Sequence, residues 1–415
     1  MSEIRITELE NGIRIVTERI PYLQSFSLGF WFNVGTRDEN LHNNGISHFI
    51  EHMLFKGTHR RTAKQISDSI EAYGGYLNAF TSKEHTCFYG RGLAKNIERT
   101  FDVISDMVQN PLFKEGHIKK EAGVVVDELL DIYDNPEELI FDKFEEILFK
   151  GSTLSYPVIG KESNIKRFNS TELHDFHNKY YGNKNLLISC SGAVDHDKIV
   201  ELTKKYVVKN RDSKGKRKFQ NIEPQTFVKV IEKEIQQVHC IIGRTSYGYK
   251  DEERLILNML SNLIGDGSSS RLFQAVREKL GITYQINSFV NSYFDTSAFG
   301  VYFSTSEKYV EKVISIVAKE LKKLTEMKVS DKELKRVKEY LKGSMLLSLE
   351  NTSNRMIRIA NSMLYFNKVI TVDELVERID SVTSEQLLQL SSQLLKEDEL
   401  ARLIIRAKNN NTKAA

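Results

Sequence analysis

The 415-residue chain has only three cysteines, Cys87, Cys190 and Cys240, and none lies in a CxxC pair. So few thiols cannot build a disulfide framework, and a reducing compartment is the simplest expectation. Excess charge of one sign is scarce too. Lys and Arg number 59 against 56 Asp and Glu, a surplus of +3, so the whole chain makes no electrostatic case for nucleic-acid or membrane affinity. Long apolar runs are also missing. The opening Met1-Ser-Glu-Ile-Arg-Ile-Thr-Glu8 lacks a signal peptide's h-region. The longest nearly apolar stretch, Leu186 to Val194, is far short of the ~20 residues that span a bilayer. These absences lead to the expectation of a soluble, cytoplasmic protein with neither nucleic-acid nor membrane partners.

What is present suffices for a folded core: 40% of residues are hydrophobic and 28% charged. Asn11-Gly12, followed by the alternating Ile13-Arg14-Ile15-Val16, predicts a hairpin, and Ser25 to Val34 a buried strand. Ile97, Phe101, Ile104 and Val108 form an apolar helical stripe. Val310, Ile314, Val317 and Leu321 repeat its steps of four, three and four. Each stripe follows a strand-rich stretch, Tyr76 to Tyr89 or Tyr284 to Phe303, and leads into another long helix, from Glu115 or from Asp331. The matching order, at an offset of about 215 residues, predicts a duplicated domain. Between the copies lies the basic Lys209 to Lys218, expected to be a solvated linker. It is unlike a nucleic-acid surface, because only Phe219 stands with its cations. The expected division is 1–208, a linker over 209–225, a second copy over 226–407 and a frayed tail over 408–415.

One constellation carries chemistry. His48-Phe49-Ile50-Glu51-His52 lies in a run, Gly45 to Phe55, that predicts a helix. His48 and His52 then sit one turn apart on one face, where both imidazoles reach a single ion. Glu51 is turned aside yet close enough to bond to water at that ion. This is the inverted HxxEH arrangement of zinc peptidases. The bland alternative is a pair of surface histidines, but Phe49, Ile50, Met53, Leu54 and Phe55 make the helix apolar on several sides. A catalytic zinc commonly takes a third protein ligand. Glu121 and Glu128, seven residues apart on the helix predicted over Glu115 to Leu130, share one face. On spacing alone a solvated face is the simpler reading of that pair.

The run Gly45-Ile-Ser-His-Phe-Ile-Glu-His-Met-Leu-Phe-Lys-Gly-Thr58 resembles the active-site signature of the pitrilysin-type metallopeptidases. The resemblance is to their short two-domain branch, which includes the mitochondrial processing peptidase β-subunit and bacterial homologues. Asn11-Gly12, Val34 to Glu39, Gly74 to Thr81, Gln237 to Cys240 and Ser269 to Phe273 are similar to runs of that family. The resemblance implies an α+β fold of two similar domains, each an antiparallel sheet with helices on one face. It implies one Zn²⁺ per chain on His48, His52 and Glu128, with Glu51 as general base and Glu121 supporting a ligand histidine. The second copy has Ile264, Gly267 and Ser268 opposite the motif positions and so lacks the metal set.

Arg277 and Tyr284 are similar to the Arg–Tyr pair that completes the family's site, although on residue type alone they read as a surface Arg and a core Tyr. Asn78, Ala79 and Phe80 correspond to the family's exposed sheet edge, to which substrate adds as a strand; the alternative is that Phe80 is core. Glu138 and Asp142 resemble carboxylates that read a basic residue near the cut, or else form an ordinary acidic face. Where the non-catalytic mitochondrial subunit has a long glycine-rich loop, only Gly265-Asp266-Gly267 stands. The implied function is a zinc endopeptidase of short or unfolded peptides. It would act as a homodimer in which each chain's Arg–Tyr pair completes the partner's site. The alternative is a catalytically silent or partner-dependent subunit of a processing complex.

Overall fold

The computed structural model describes residues 3–209, 212 and 215–408. The expected tail from 409 onward, and residues 210, 211, 213 and 214 of the basic segment, lie outside the described residues. The chain folds as two compact units that are not contiguous in sequence. The first comprises Met1–Leu130, Tyr156–Phe219 and Leu346–Ile370; the second comprises Asp131–Ser155, Gln220–Met345 and Thr371–Ala415. A cut at the basic segment alone therefore does not describe the packing, because each unit includes a segment from the other half of the chain.

The first unit is built on β1 (Glu3–Glu8), β2 (Arg14–Arg19), β3 (Ser25–Phe32), β4 (Tyr76–Thr81), β5 (Thr86–Leu93) and β6 (Leu186–Gly192), in the order β1-β2-β6-β3-β5-β4. The predicted hairpin turns at Gly12, whose φ of 84° is the left-handed region that favours glycine. β2 and β6 run parallel and the other neighbours antiparallel. The predicted stripe becomes the helix Ile97–Gln109, with Phe101 edge-on to Phe30 at 5.0 Å. Along β3 the pleat sends Ser27, Gly29 and Trp31 to the opposite face. There the helix Thr352–Phe366 covers them: Ser27 Oγ lies 2.8 Å from Thr352 Oγ1, and Trp31 packs with Met356, Ile359, Ala360 and Met363. The expected α+β architecture is adopted, with helices on both faces of this sheet instead of one. A strand as apolar as Ser25–Phe32 requires cover on both sides.

The basic segment is not wholly solvated. Gly215 lies against the ring of Tyr180, where a Cβ would come within 2.2 Å. The Arg217 side chain is largely buried, its Nη2 donating to Asp38 at 2.7 Å and to the Glu84 carbonyl at 2.5 Å. Phe219 accepts the Arg37 guanidinium over its ring at 4.8 Å. Buried carboxylates explain this, since Asp38 and Glu84 need a cation that the basic segment supplies.

The second unit repeats the plan. β7 (Val228–Lys233), β8 (Val238–Ser246), β9 (Thr283–Ser292), β10 (Ser297–Thr305) and β11 (Ala401–Ala407) are ordered β7-β11-β8-β10-β9, again with one parallel pair, β7 and β11. This is the first sheet's order without its outermost strand. The helix Val310–Glu326 packs on one face through Val313 and Val317. The helix Pro136–Leu148 packs on the other with Ile140 and Phe144, Phe141 lying 5.4 Å from the Tyr302 ring.

Candidate metal centre

The motif helix is Ile46–Leu54, within the predicted run. Its start is made by a residue outside it. Gly45 takes φ 101°, and a Cβ there would stand 2.8 Å from Gly160 Cα, so only glycine allows this approach. The buried Glu39 carboxylate then accepts from the Gly45 and Ser47 N–H groups, each at 2.8 Å, and from Asn44 Nδ2 at 3.0 Å. The two N–H groups are donors that a helix leaves orphaned, and the negative charge suits the positive end of the dipole. Burial nevertheless pushes the Glu39 carboxyl up to about 7, against the pull of its backbone donors.

With the helix anchored, His48 Nε2 and His52 Nε2 stand 3.2 Å apart. Glu128, on the helix Glu115–Asp134, brings Oε1 to 3.8 Å from His48 Nε2 and Oε2 to 3.6 Å from His52 Nε2. Two turns back, the buried Glu121 places Oε1 3.0 Å from His52 Nδ1 and pairs through Oε2 with Lys56 at 2.6 Å. The two glutamates are therefore not a solvated face. Glu121 is 5% exposed and turned onto His52, whereas Glu128 remains open to solvent.

Glu51 is mostly buried and accepts from Thr81 Oγ1 at 2.5 Å. Burial raises its carboxyl, an effect that Thr81 and His52 oppose and Glu128 adds to. Burial, joined by the neighbouring His52 charge, pushes His48 down to about 4. At His52 burial acts downward but is overcome by Glu121, Glu128 and Glu51, so its pKa is raised. Burial likewise works against the Glu121 charge, and the bonds to His52 and Lys56 hold it below its ordinary value.

The donor set fits a divalent zinc-like ion. Two imidazole nitrogens at about 2.0–2.1 Å from one tetrahedral ion would be roughly 3.3 Å apart, close to the observed separation. His48, His52 and Glu128 offer donor atoms all within 4.8 Å of one another, the one such grouping among the described residues. The Glu121 contact fixes His52 with Nε2 turned toward Glu128, the outer carboxylate typical of ligating histidines. His48 Nδ1 is buried without a hydrogen-bond partner, a polar cost that metal binding at Nε2 would offset.

Beside this centre, β4 is a sheet edge, paired with β5 alone. The Ala79 N–H donates to the Asn78 side chain at 2.8 Å instead of to a strand, and Asn78 Nδ2 donates to Tyr76 Oη at 2.6 Å. The Phe80 ring is half-buried, edge-on to Trp31 at 5.4 Å, so its side chain belongs to the core. In the second unit Arg277 and Tyr284 come together. The Arg277 guanidinium lies 5.5 Å from the Tyr284 ring, Tyr284 is 75% exposed, and Arg277 sits in a π-helical turn, Phe273–Glu278. The exposed Tyr284 is thus not the core tyrosine that residue type alone suggests. Glu138 and Asp142 share the helix Pro136–Leu148, with Glu138 accepting from Asn135 Nδ2 at 2.7 Å.

Three residues at the centre escaped the sequence reading: Glu39, Thr81 and Lys56. Thr81 and Lys56 lie inside the quoted runs, but local spacing does not show which carboxylate each will meet. Glu39 closes the quoted run from Val34, but nothing local shows that its partners are backbone groups six and eight residues onward.

Comparison with known proteins points to one family. Residues 14–162 match the family described as Insulinase (Peptidase family M16), and residues 167–341 match the Peptidase M16 inactive domain. An uncharacterized zinc protease of Streptomyces coelicolor is 34% identical over 403 residues, covering 94% of this chain and 87% of that protein. The uncharacterized zinc protease YmxG of Bacillus subtilis is 34% identical over 396 residues, covering 95% and 96%. A protease from Helicobacter pylori shares the fold with a TM-score of 0.90 at 20% identity, over 98% of this chain and 100% of that one. Two repeated sheet units and an inverted His-Glu-His helix facing an acidic helix thus accompany a peptidase sequence. The chain belongs to the pitrilysin-type peptidase family M16.

Proposed function

We propose that the protein is a zinc-dependent endopeptidase of short or unfolded peptides, with one zinc per chain. The observation carrying this reading is the convergence of His48, His52 and Glu128 beside a mostly buried Glu51. His48 and His52, as neutral imidazoles, and the Glu128 carboxylate would hold the ion. When bound, zinc acidifies water and polarises the scissile carbonyl. Glu51 takes a proton from the attacking water at a carboxylate oxygen and returns it to the leaving amine. Burial favours that proton-carrying form, and Thr81 fixes the carboxylate. Glu121 keeps the proton of His52 on Nδ1 and so leaves Nε2 free for the metal.

Substrate adds to the open side of β4 as an extended strand, bonded to main-chain groups of Asn78, Ala79 and Phe80. Glu138 and Asp142 favour a basic residue in the substrate. Arg277 and Tyr284 steady the substrate backbone and the developing oxyanion, supplied to each site by the second chain of a homodimer. The halves on either side of 209–225 descend from one duplicated domain, with the metal set in the first copy only. The protein works in the cytoplasm. No helix among the described residues is long and apolar enough to cross a membrane.

The test is digestion of a mixed peptide library by zinc-loaded protein, by protein treated with chelator and by Glu51→Gln, read by mass spectrometry. Cleavage by the first alone supports the proposal. Cleavage surviving in Glu51→Gln points to a different base, and silence of all three points to a partner-dependent or non-enzymatic subunit.

A further inference from the structure

β4 alternates its side chains, so a strand bound along it has two faces. Ala79 and Thr81 point toward the motif helix, where Thr81 meets Glu51. Tyr76, Asn78 and Phe80 point to the Trp31 face. At the end of β4 far from Thr81, Tyr76 is paired across the sheet with Arg91 of β5. The Arg91 guanidinium lies over the Tyr76 ring, 4.7 Å from its centroid. Asn78 holds the Tyr76 hydroxyl at 2.6 Å, which fixes the ring, and the Tyr89 ring lies 6.3 Å away. Arg91 is exposed, and among the described residues no carboxylate stands within ion-pair distance of it, whereas Arg60 and Arg61 of the same unit both hold acids. A stacked guanidinium keeps the edge of its fork free for a carboxylate.

Resting on the peptidase reading above, we propose that Arg91, oriented by Tyr76, is a subsite for a substrate carboxylate. A strand added to β4 would lie about 4.8 Å beyond it, so a residue opposite Tyr76 is two strand spacings, roughly 10 Å, from the Arg91 backbone. An extended arginine and an acidic side chain together span that gap. An antiparallel substrate would run from Thr81 toward Tyr76, so its C-terminal part reaches Arg91. The carboxylate is therefore that of an Asp or Glu downstream of the cut, or the peptide's own C-terminus.

The experiment compares peptides carrying Glu or Gln at one position moved stepwise downstream of the cleaved bond, each as free acid and as C-terminal amide. At one position kcat/KM for Glu should exceed that for Gln by about tenfold and decline with salt, as a charge contact does. A ratio that depends on the free acid at one peptide length assigns the terminus instead of the side chain. In Arg91→Ala either ratio should fall to about one, and Arg91→Glu should favour Lys at the same position. A ratio that persists in Arg91→Ala, or charge-indifferent cutting at every position, overturns the subsite while leaving the peptidase intact. If zinc-loaded wild type cuts no peptide, the peptidase reading fails and takes the subsite with it.

Discussion

In the proposed reaction Glu51 has two jobs that conflict in water: to be basic enough to accept a proton and to be held in one place. Burial meets the first and Thr81 the second. Glu51→Gln should lower kcat by about 10²–10⁴-fold, the usual worth of a general acid–base, while zinc content by metal analysis is unchanged. Glu121→Gln should act differently, weakening zinc by about 10–100-fold in chelator competition, with activity recovering as zinc is raised. Activity that stays low at saturating zinc would show that Glu121 does more than hold His52. Glu39 yields a pH dependence. Its folded value, about 7, lies above the ordinary carboxyl value, so the folded chain holds the proton more tightly than the unfolded one. Stability gained from this group is full below about pH 4.5 and is lost as pH rises through about 7, by roughly 3 kcal/mol at most. Urea unfolding of wild type against Glu39→Gln at pH 4.5, 6 and 8 reads that loss directly. A constant difference between the two would mean that Glu39 stays ionised in the fold.

At the scale of elements, the helix Thr352–Phe366 is a lid on the first sheet that the chain supplies more than 150 residues after β6. It seals Trp31, the only tryptophan, against Met356. Met356→Ala removes a fully buried side chain from that seam and should cost about 2–5 kcal/mol in urea unfolding. Trp31 fluorescence should shift in the native state, since its ring loses the Met356 neighbour. An unmoved spectrum with unchanged stability would show that the seam repacks. The corresponding lid on the second sheet is Pro136–Leu148, so the first 219 residues alone lack the cover that Trp31 needs.

At the scale of the whole molecule, the homodimer reading assigns the metal set and the Arg–Tyr pair of one site to different chains. Mixing Glu51→Gln with Arg277→Ala should then restore activity that neither variant has alone. With random exchange of subunits, half the dimers are mixed and each has one intact site, so recovery should approach about a quarter of wild type. Verified subunit exchange without recovery would place Arg277 on its own chain's site, or off the reaction altogether.

Much of the molecule is determined by the sequence alone, because those features depend on spacing within one element. His48 and His52 share a face at four residues and Glu121 and Glu128 at seven, while matching apolar stripes start at Ile97 and Val310. Local periodicity also yields the hairpin at Gly12 and the long helices from Glu115 and from Asp331. Tertiary structure alone decided the exchange of lids, since an amphipathic helix does not encode which sheet its apolar face will cover. It also decided that Arg217 leaves solvent for Asp38 and Glu84, and that Glu39 starts the motif helix from outside. Those outcomes depend on where buried carboxylates and orphan N–H groups find partners, which is settled only when distant segments pack together.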